Sequence, residues 1–196
     1  MSRSPPSAEG YRWIVDPLDG TTNYVHGIPY WSVSIALAQH DQVVAAIVYQ
    51  PTVNECFTAT LGGGTFLNGA RKSVSEITTL AEAVVAMSLP AGVGAEAREL
   101  MEMGVLAVRT QSLRRMGSAA INLAYVAAGR FDAYWTGSTR IWDVAAGVLL
   151  VREAGGTICD GYNTGLPSGR MKFIAAANDA LRAELQQTLA AANAGS

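Results

Sequence analysis

The run Trp13-Ile14-Val15-Asp16-Pro17-Leu18-Asp19-Gly20-Thr21-Thr22-Asn23 constrains this chain more than any other. Its first three residues favour an extended backbone, and the proline after Asp16 has no N–H to give to a central ladder. A strand is therefore expected to end at Asp16, with its carboxylate at the rim of a sheet. Asp19-Gly20 then suits a tight bend, and Thr21-Thr22-Asn23 can begin a short helix whose first N–H groups lack intrahelical partners. An entrance of that kind can hold an anion such as phosphate.

Charge adds a second constraint. Asp16 and Asp19 flank a rigid turn, so their carboxylates can converge, and two bare charges about 4 Å apart repel by ~4 kcal/mol at an effective dielectric near 20. Such a pair needs a cation or a shared proton. Carboxylate and carbonyl oxygens suit Mg²⁺, which is commonly held by a few carboxylates together with substrate phosphate oxygens. A metal-assisted phosphate site is one reading of the run. In the other, Asp19 caps a helix and Asp16 ends a strand, and spacing alone leans that way because Asp-Gly turns are common. Asp143, placed between Trp142 and an apolar helix, reads on its own as an N-cap.

The rest of the chain predicts strands first and alternation later. Residues 32–37 alternate small or polar with apolar side chains, His40-Asp41 breaks the pattern, and 43–49 is rich in β-branched residues, which together read as a hairpin. A strand over 55–60 runs into Gly62-Gly63-Gly64, and Asn68-Gly69 marks another tight turn before Arg71-Lys72. The triple glycine is taken as a hairpin turn rather than a phosphate cradle, since no P-loop lysine or helix start follows it. Strands are expected at 83–88, 131–135 and 172–176, and helices at 95–103, at 118–128 before Gly129, and at 144–153 before Gly155-Gly156. A last helix capped by Asn178 carries Leu181, Leu185 and Leu189 on one face. Tyr134-Trp135 alternates with Ala133 and is assigned to the core. This alternation predicts a layered, mixed α/β domain over residues 11–196, with a Ser/Pro-rich, disordered segment at 1–10.

Composition limits the partners. At 196 residues, 49% hydrophobic and 15% charged, the chain can bury one substantial core. Its 14 basic and 16 acidic residues leave a net charge of −2 with no basic run, which argues against nucleic acid and against a polybasic membrane patch. Cys56 and Cys159 lack CxxC or Cys/His spacing and are expected to be reduced structural thiols. No apolar run reaches ~18 residues and residues 1–6 lack a signal peptide's apolar core, so a soluble, cytoplasmic location is expected.

Asp16-Pro17-Leu18-Asp19-Gly20-Thr21-Thr22-Asn23-Tyr24, followed by His26-Gly27-Ile28-Pro29, resembles the first signature of the inositol monophosphatase family. Ile141-Trp142-Asp143-Val144-Ala145-Ala146-Gly147, followed by Glu153-Ala154-Gly155-Gly156, resembles the second. The resemblance implies a layered αβαβα sandwich and a Mg²⁺-dependent, lithium-sensitive, homodimeric phosphatase acting on a small phosphorylated substrate, first of all an inositol monophosphate. It makes Asp16, Asp19, Asp143 and the Leu18 carbonyl metal ligands. Gly20 and Thr21 become phosphate donors, Asp19 and Thr21 catalytic groups, and Asp19, Asp143, Gly117, Ser118 and Ala119 substrate contacts. Water activated by the metal would attack the phosphoester in line, without a phosphoenzyme, and His26 and His40 would be structural.

The chain departs from the pattern twice. Family members carry an acidic Glu-Glu motif ahead of the Trp-Ile-Val-Asp strand, whereas Glu9 is the sole acidic residue before Asp16 here. An N-terminally truncated member is expected, with weakened turnover and with apolar surface uncovered around the Trp13 strand. Thr136 stands where inositol-type members commonly have a glutamate that grips ring hydroxyls. Phosphatases for bisphosphorylated nucleotides, fructose bisphosphate or histidinol phosphate are therefore alternatives, as is an impaired paralogue that acts by association.

Overall fold

The computed structural model describes residues 10–89, 94, 97–159, 169 and 171–194. Strand-forming residues dominate its first part. β1 (Tyr11–Asp19), β2 (Ser32–Gln39), β3 (Gln42–Gln50), β4 (Glu55–Thr60), β5 (Gly64–Leu67) and β6 (Ala70–Lys72) pair antiparallel in sequence order. The connections use the turn chemistry anticipated for them: His40 and Asn68 adopt positive φ of 53° and 48°, and Gly69 follows at 80°. Between β1 and β2 lies the single-turn helix α1 (Thr21–Val25).

β1 does not stop at Asp16 as expected. It runs through Pro17 to Asp19, with its register against β2 slipping between Asp16↔Ser34 and Asp19↔Ser32. The reason is position: among the described residues β1 is an edge strand with β2 as its one neighbour, so a bulge there absorbs the missing N–H of proline.

The later segments build a second sheet in the order β10-β11-β9-β7-β8, from β7 (Val84–Ser88), β8 (Ser112–Arg114), β9 (Ala133–Thr139), β10 (Thr157–Ile158) and β11 (Met171–Ala176). β7 lies parallel to β8 and β9, while β11 is antiparallel to β9 and β10. Helices α3 (Ala119–Ala127) and α4 (Ile141–Glu153) pack between the two sheets, and α2 (Arg98–Arg109) and α5 (Asp179–Ala194) cover the far face of the second. The layers thus run sheet, helices, sheet, helices. A helix flanked by two sheets has no solvent side, and accordingly α3 and α4 bury apolar residues on every face. α5 has a face to cover and a face to expose, and Leu181, Leu185 and Leu189 are its buried stripe, as expected.

Several boundaries differ from the sequence expectation, and α4 starts at Ile141 rather than at 144. α2 reaches Arg109 because Leu106, one turn beyond Glu102, is also buried. β9 starts two residues later than expected and continues to Thr139. Asp132, expected in the strand, instead uses its carboxylate to accept from the Val84 N–H (2.6 Å) and the Ser75 hydroxyl (2.5 Å), which pins β9 to β7. Residues 1–9, expected to be disordered and including Glu9, lie outside the described residues, as do 95 and 96 at the expected start of α2.

The outer face of the first sheet is apolar and uncovered among the described residues. Trp13 pairs with Leu37, and Val15 with Ile35 and onward to Ile47, and Trp13, Val15 and Ile47 are 64%, 41% and 41% exposed. Cys56 and Cys159 are free, half-buried thiols. No helix among the described residues is long and apolar enough to cross a membrane.

Candidate active site

The ends of three elements meet at one cavity. β1 delivers Asp16 and Asp19, the N-terminus of α3 delivers Ser118, and the first turn of α4 delivers Asp143. The cavity has a volume of about 340 Å³, and Asp19, Thr22, Asn23, Gly117, Ala119, Tyr134, Thr136 and Asp143 are among its lining residues. Asp16, Leu18, Gly20, Thr21 and Ser118 stand behind or beside that wall rather than in it.

Asp19 is anchored by two donors from the start of α3. It is buried, and its Oδ2 accepts from the Ser118 hydroxyl at 2.5 Å and from the Ala120 N–H at 2.7 Å. Ser118, expected against the substrate, is fully buried and turned onto this carboxylate, while its Oγ also accepts from the Ile121 N–H at 3.2 Å as the N-cap of α3. Asp16, also buried, accepts from the Leu18 N–H at 3.1 Å. Asp143, expected to be the N-cap of α4, is its third residue. The cap is Arg140, and Asp143 Oδ2 folds back to accept from the Arg140 N–H (2.8 Å) and the Thr139 hydroxyl (3.1 Å), which is the carboxylate half of a capping box.

The three aspartates feel one another. Burial pushes Asp19 up from 3.8 to about 7, against the bonds from Ser118 and Ala120, and Asp16 and Asp143 push it further. Burial also raises Asp16, against its bond from Leu18, and Asp143 adds to the rise. Among the described residues no three His, Cys, Asp or Glu side chains form a closed ligand set, so the convergence is one of charge. Each aspartate has an oxygen committed to a protein donor. This donor set still fits a hard divalent cation: the carboxylates of the buried Asp16 and Asp19 and of Asp143 bring negative charge together, and a cation would remove the penalty that lifts Asp19.

The loop after Asp19 is shaped by Gly20, at φ 91°, where a Cβ would lie 3.0 Å from the Tyr30 carbonyl oxygen. The Thr21 hydroxyl donates to the Leu18 carbonyl at 3.0 Å. With a single turn, α1 has little macrodipole, so anion binding here would rest on individual N–H groups. Thr136 is fully buried in the cavity wall, and its hydroxyl donates to the Ser138 carbonyl at 3.2 Å. His26 and His40 do not line the cavity. The triple-glycine turn does bind an anion, but an internal one: Gly62 and Gly64 N–H each donate to the Glu153 carboxylate at 2.8 Å.

Sequence reasoning assigned no role to Asn23, Ser88 or Arg115, all of which line the cavity, and it gave Tyr134 to the core. Tyr134 is buried, but its hydroxyl reaches the cavity and donates to Ser88 Oγ at 3.0 Å. The signal for Asn23 was its place inside the first motif, and the others carried none.

Two sheets alternating with helix pairs, with aspartates gathered where β1 meets the helix layer, define a layered α/β protein of the sugar-phosphatase type. The chain belongs to the inositol monophosphatase family, whose model matches residues 3–194. It is 47% identical over 158 residues to an inositol-1-monophosphatase of Rhizobium meliloti, covering 80% of this chain and 59% of that protein. It is 43% identical over 148 residues to a fructose-1,6-bisphosphatase/inositol-1-monophosphatase of Thermotoga maritima, covering 76% of this chain and 56% of that one. A crystal structure of the extragenic suppressor protein suhB from Bartonella henselae superposes with a TM-score of 0.84 at 40% identity, over 93% of this chain and 70% of that one. The chain thus spans somewhat more than half the length of the curated relatives it matches.

Proposed function

We propose that this chain carries the site of a Mg²⁺-dependent phosphomonoesterase that releases phosphate from an inositol monophosphate. The observation that carries the proposal is the buried Asp19, held by Ser118 and Ala120 and coupled in charge to Asp16 and Asp143 beside a polar cavity. Asp16, Asp19, Asp143 and the Leu18 carbonyl would hold the metal. When bound, the cation neutralises charge on the phosphate oxygens and acidifies water. Gly20 and Thr21 N–H groups would hold the phosphate. The Thr21 hydroxyl has its proton committed to the Leu18 carbonyl and so turns lone pairs outward, where they accept from and orient the attacking water. Asp19, Asp143 and the Gly117–Ala119 turn would face the alcohol side of the substrate, with Ser118 acting through Asp19. The same reading makes the protein cytoplasmic, lithium-sensitive and homodimeric, with no nucleic-acid or membrane partner.

The test is phosphate release from inositol 1-phosphate by the purified chain, with and without Mg²⁺, alongside Asp16→Asn. Release that needs Mg²⁺ and falls at least about 100-fold in the variant supports the reading. Release that is indifferent to both overturns it. A second reading is favoured by Arg115, which lines the cavity and has no carboxylate partner among the described residues. A guanidinium there suits a substrate with a second anionic group, such as fructose 1,6-bisphosphate. If that is the substrate, the bisphosphate is hydrolysed in preference to inositol 1-phosphate, and Arg115→Gln removes the preference.

A further inference from the structure

We infer that Asn23 is a positioning residue that sets the distance between Asp19 and the entrance of α3. Asn23 is 8% exposed and lies in α1, four residues past Asp19. Its Nδ2 donates one hydrogen to the Tyr30 carbonyl at 2.7 Å and the other to the Met116 carbonyl at 2.8 Å. Those acceptors lie on different segments: Tyr30 leads into β2, and Met116 leads into α3. A single amide therefore ties the loop after Asp19 to the loop that carries Gly117 and Ser118. The approach is close enough that Gly117, at φ 94°, has no room for a side chain, since a Cβ would lie 2.9 Å from Asn23 Nδ2.

The clamp differs in kind from the other bonds across this junction. Those made by Ser118 and Ala120 end on the Asp19 carboxylate, and their strength changes whenever that group exchanges a proton or a cation. The Asn23 bonds join neutral amide to neutral carbonyls and keep their strength through such changes. Asn23 therefore holds the spacing while Asp19 changes charge. Aspartate at this position, nearly the same shape, would turn two donors into acceptors facing two carbonyls.

Tyr30 supplies a matched control. Its hydroxyl donates to Asn122 Oδ1 at 2.9 Å, joining the same loop to α3 in a buried setting through a bond that ends on neither Asp19 nor the turn carrying Gly117 and Ser118. Tyr30→Phe keeps the backbone carbonyl that Asn23 uses.

The experiment is amide hydrogen exchange of the full chain, read at Ala120, whose N–H reports its bond to Asp19, paired with Mn²⁺ binding followed by electron paramagnetic resonance. In Asn23→Ala the Ala120 amide is expected to exchange about tenfold faster or more, and Mn²⁺ affinity to fall by a similar factor. Gly117→Ala, which pushes on the clamp from the other side, should reproduce both effects. Tyr30→Phe should lower the melting temperature and leave Ala120 exchange and Mn²⁺ affinity within about twofold of the parent. Unchanged Ala120 exchange in Asn23→Ala, or an equal rise in Tyr30→Phe, overturns the inference. The affinity arm rests on the metal site proposed above. Should the parent chain bind no Mn²⁺, that site reading fails, and the exchange comparison alone still decides the clamp.

Discussion

Asp19→Asn should stabilise the metal-free chain at pH 8 and leave it almost unchanged at pH 4. In the folded chain Asp19 ionises near 7, against 3.8 for an ordinary aspartate, with burial as the main cause. A carboxyl raised on folding stabilises the fold fully below its unfolded pKa, and that contribution disappears as the pH climbs through the folded pKa. The window therefore opens near 3.8 and closes just above 7. The rise is about three units, and at 1.36 kcal/mol per unit it amounts to about 4 kcal/mol by pH 8. Asparagine carries no charge to bury and can still accept from the Ser118 hydroxyl and the Ala120 N–H through its Oδ1. Those two bonds weaken when the acceptor becomes neutral, so the net gain at pH 8 is expected to be about 2–4 kcal/mol.

Urea unfolding in EDTA at pH 4, 5, 6, 7 and 8 measures this directly. The parent chain should lose stability from pH 5 to pH 8 while Asp19→Asn stays nearly flat, and Mg²⁺ should restore the parent at pH 8 but not the variant. Asp16, also raised by burial, tilts the parent's curve the same way. Glu55, held low by Arg130, acts in the opposite sense, but its contribution is lost only as the pH falls below the ordinary carboxylate range. A parent whose stability is level or rising between pH 5 and 8, or an Asp19→Asn variant equally destabilised at both ends, would refute the buried, uncompensated charge on which the site reading stands.

Glu153→Gln should cost about 1–2 kcal/mol in urea unfolding, because the Gly62 and Gly64 N–H groups bond different carboxylate oxygens and glutamine turns one of these into an NH₂ donor, and it should leave Mn²⁺ affinity unchanged. Trp13→Thr combined with Ile47→Thr should shift sedimentation toward monomer as concentration rises, with little change in melting temperature, because both side chains already face solvent on the outer sheet face. A parent that sediments as a monomer throughout would show that this apolar face drives no self-association.

What could be read from the sequence follows the range over which each cause acts. Hairpin turns depend on one or two residues, so His40 and Asn68-Gly69 announced them, and the stripe of Leu181, Leu185 and Leu189 announced the buried face of α5. Whether a proline ends a strand depends on whether the strand has one neighbour or two, and nothing within the run from Trp13 to Asn23 reports that β1 is an edge. The candidate site divides along the same line. Its carboxylates stand in contiguous motifs and were visible. The groups that set their chemistry arrive from far away: Ser118 reaches Asp19 across 99 positions of sequence, and Asn23 reaches Met116 across 93. The resemblance gave Ser118 a substrate contact, and nothing in its own turn announced that its hydroxyl donates to a carboxylate carried by β1. A motif names the charged groups of a site, but the burial and donors that determine how Asp19 ionises belong to the junction between the N-terminus of α3 and the end of β1, and they become visible only once those two elements are seen in contact.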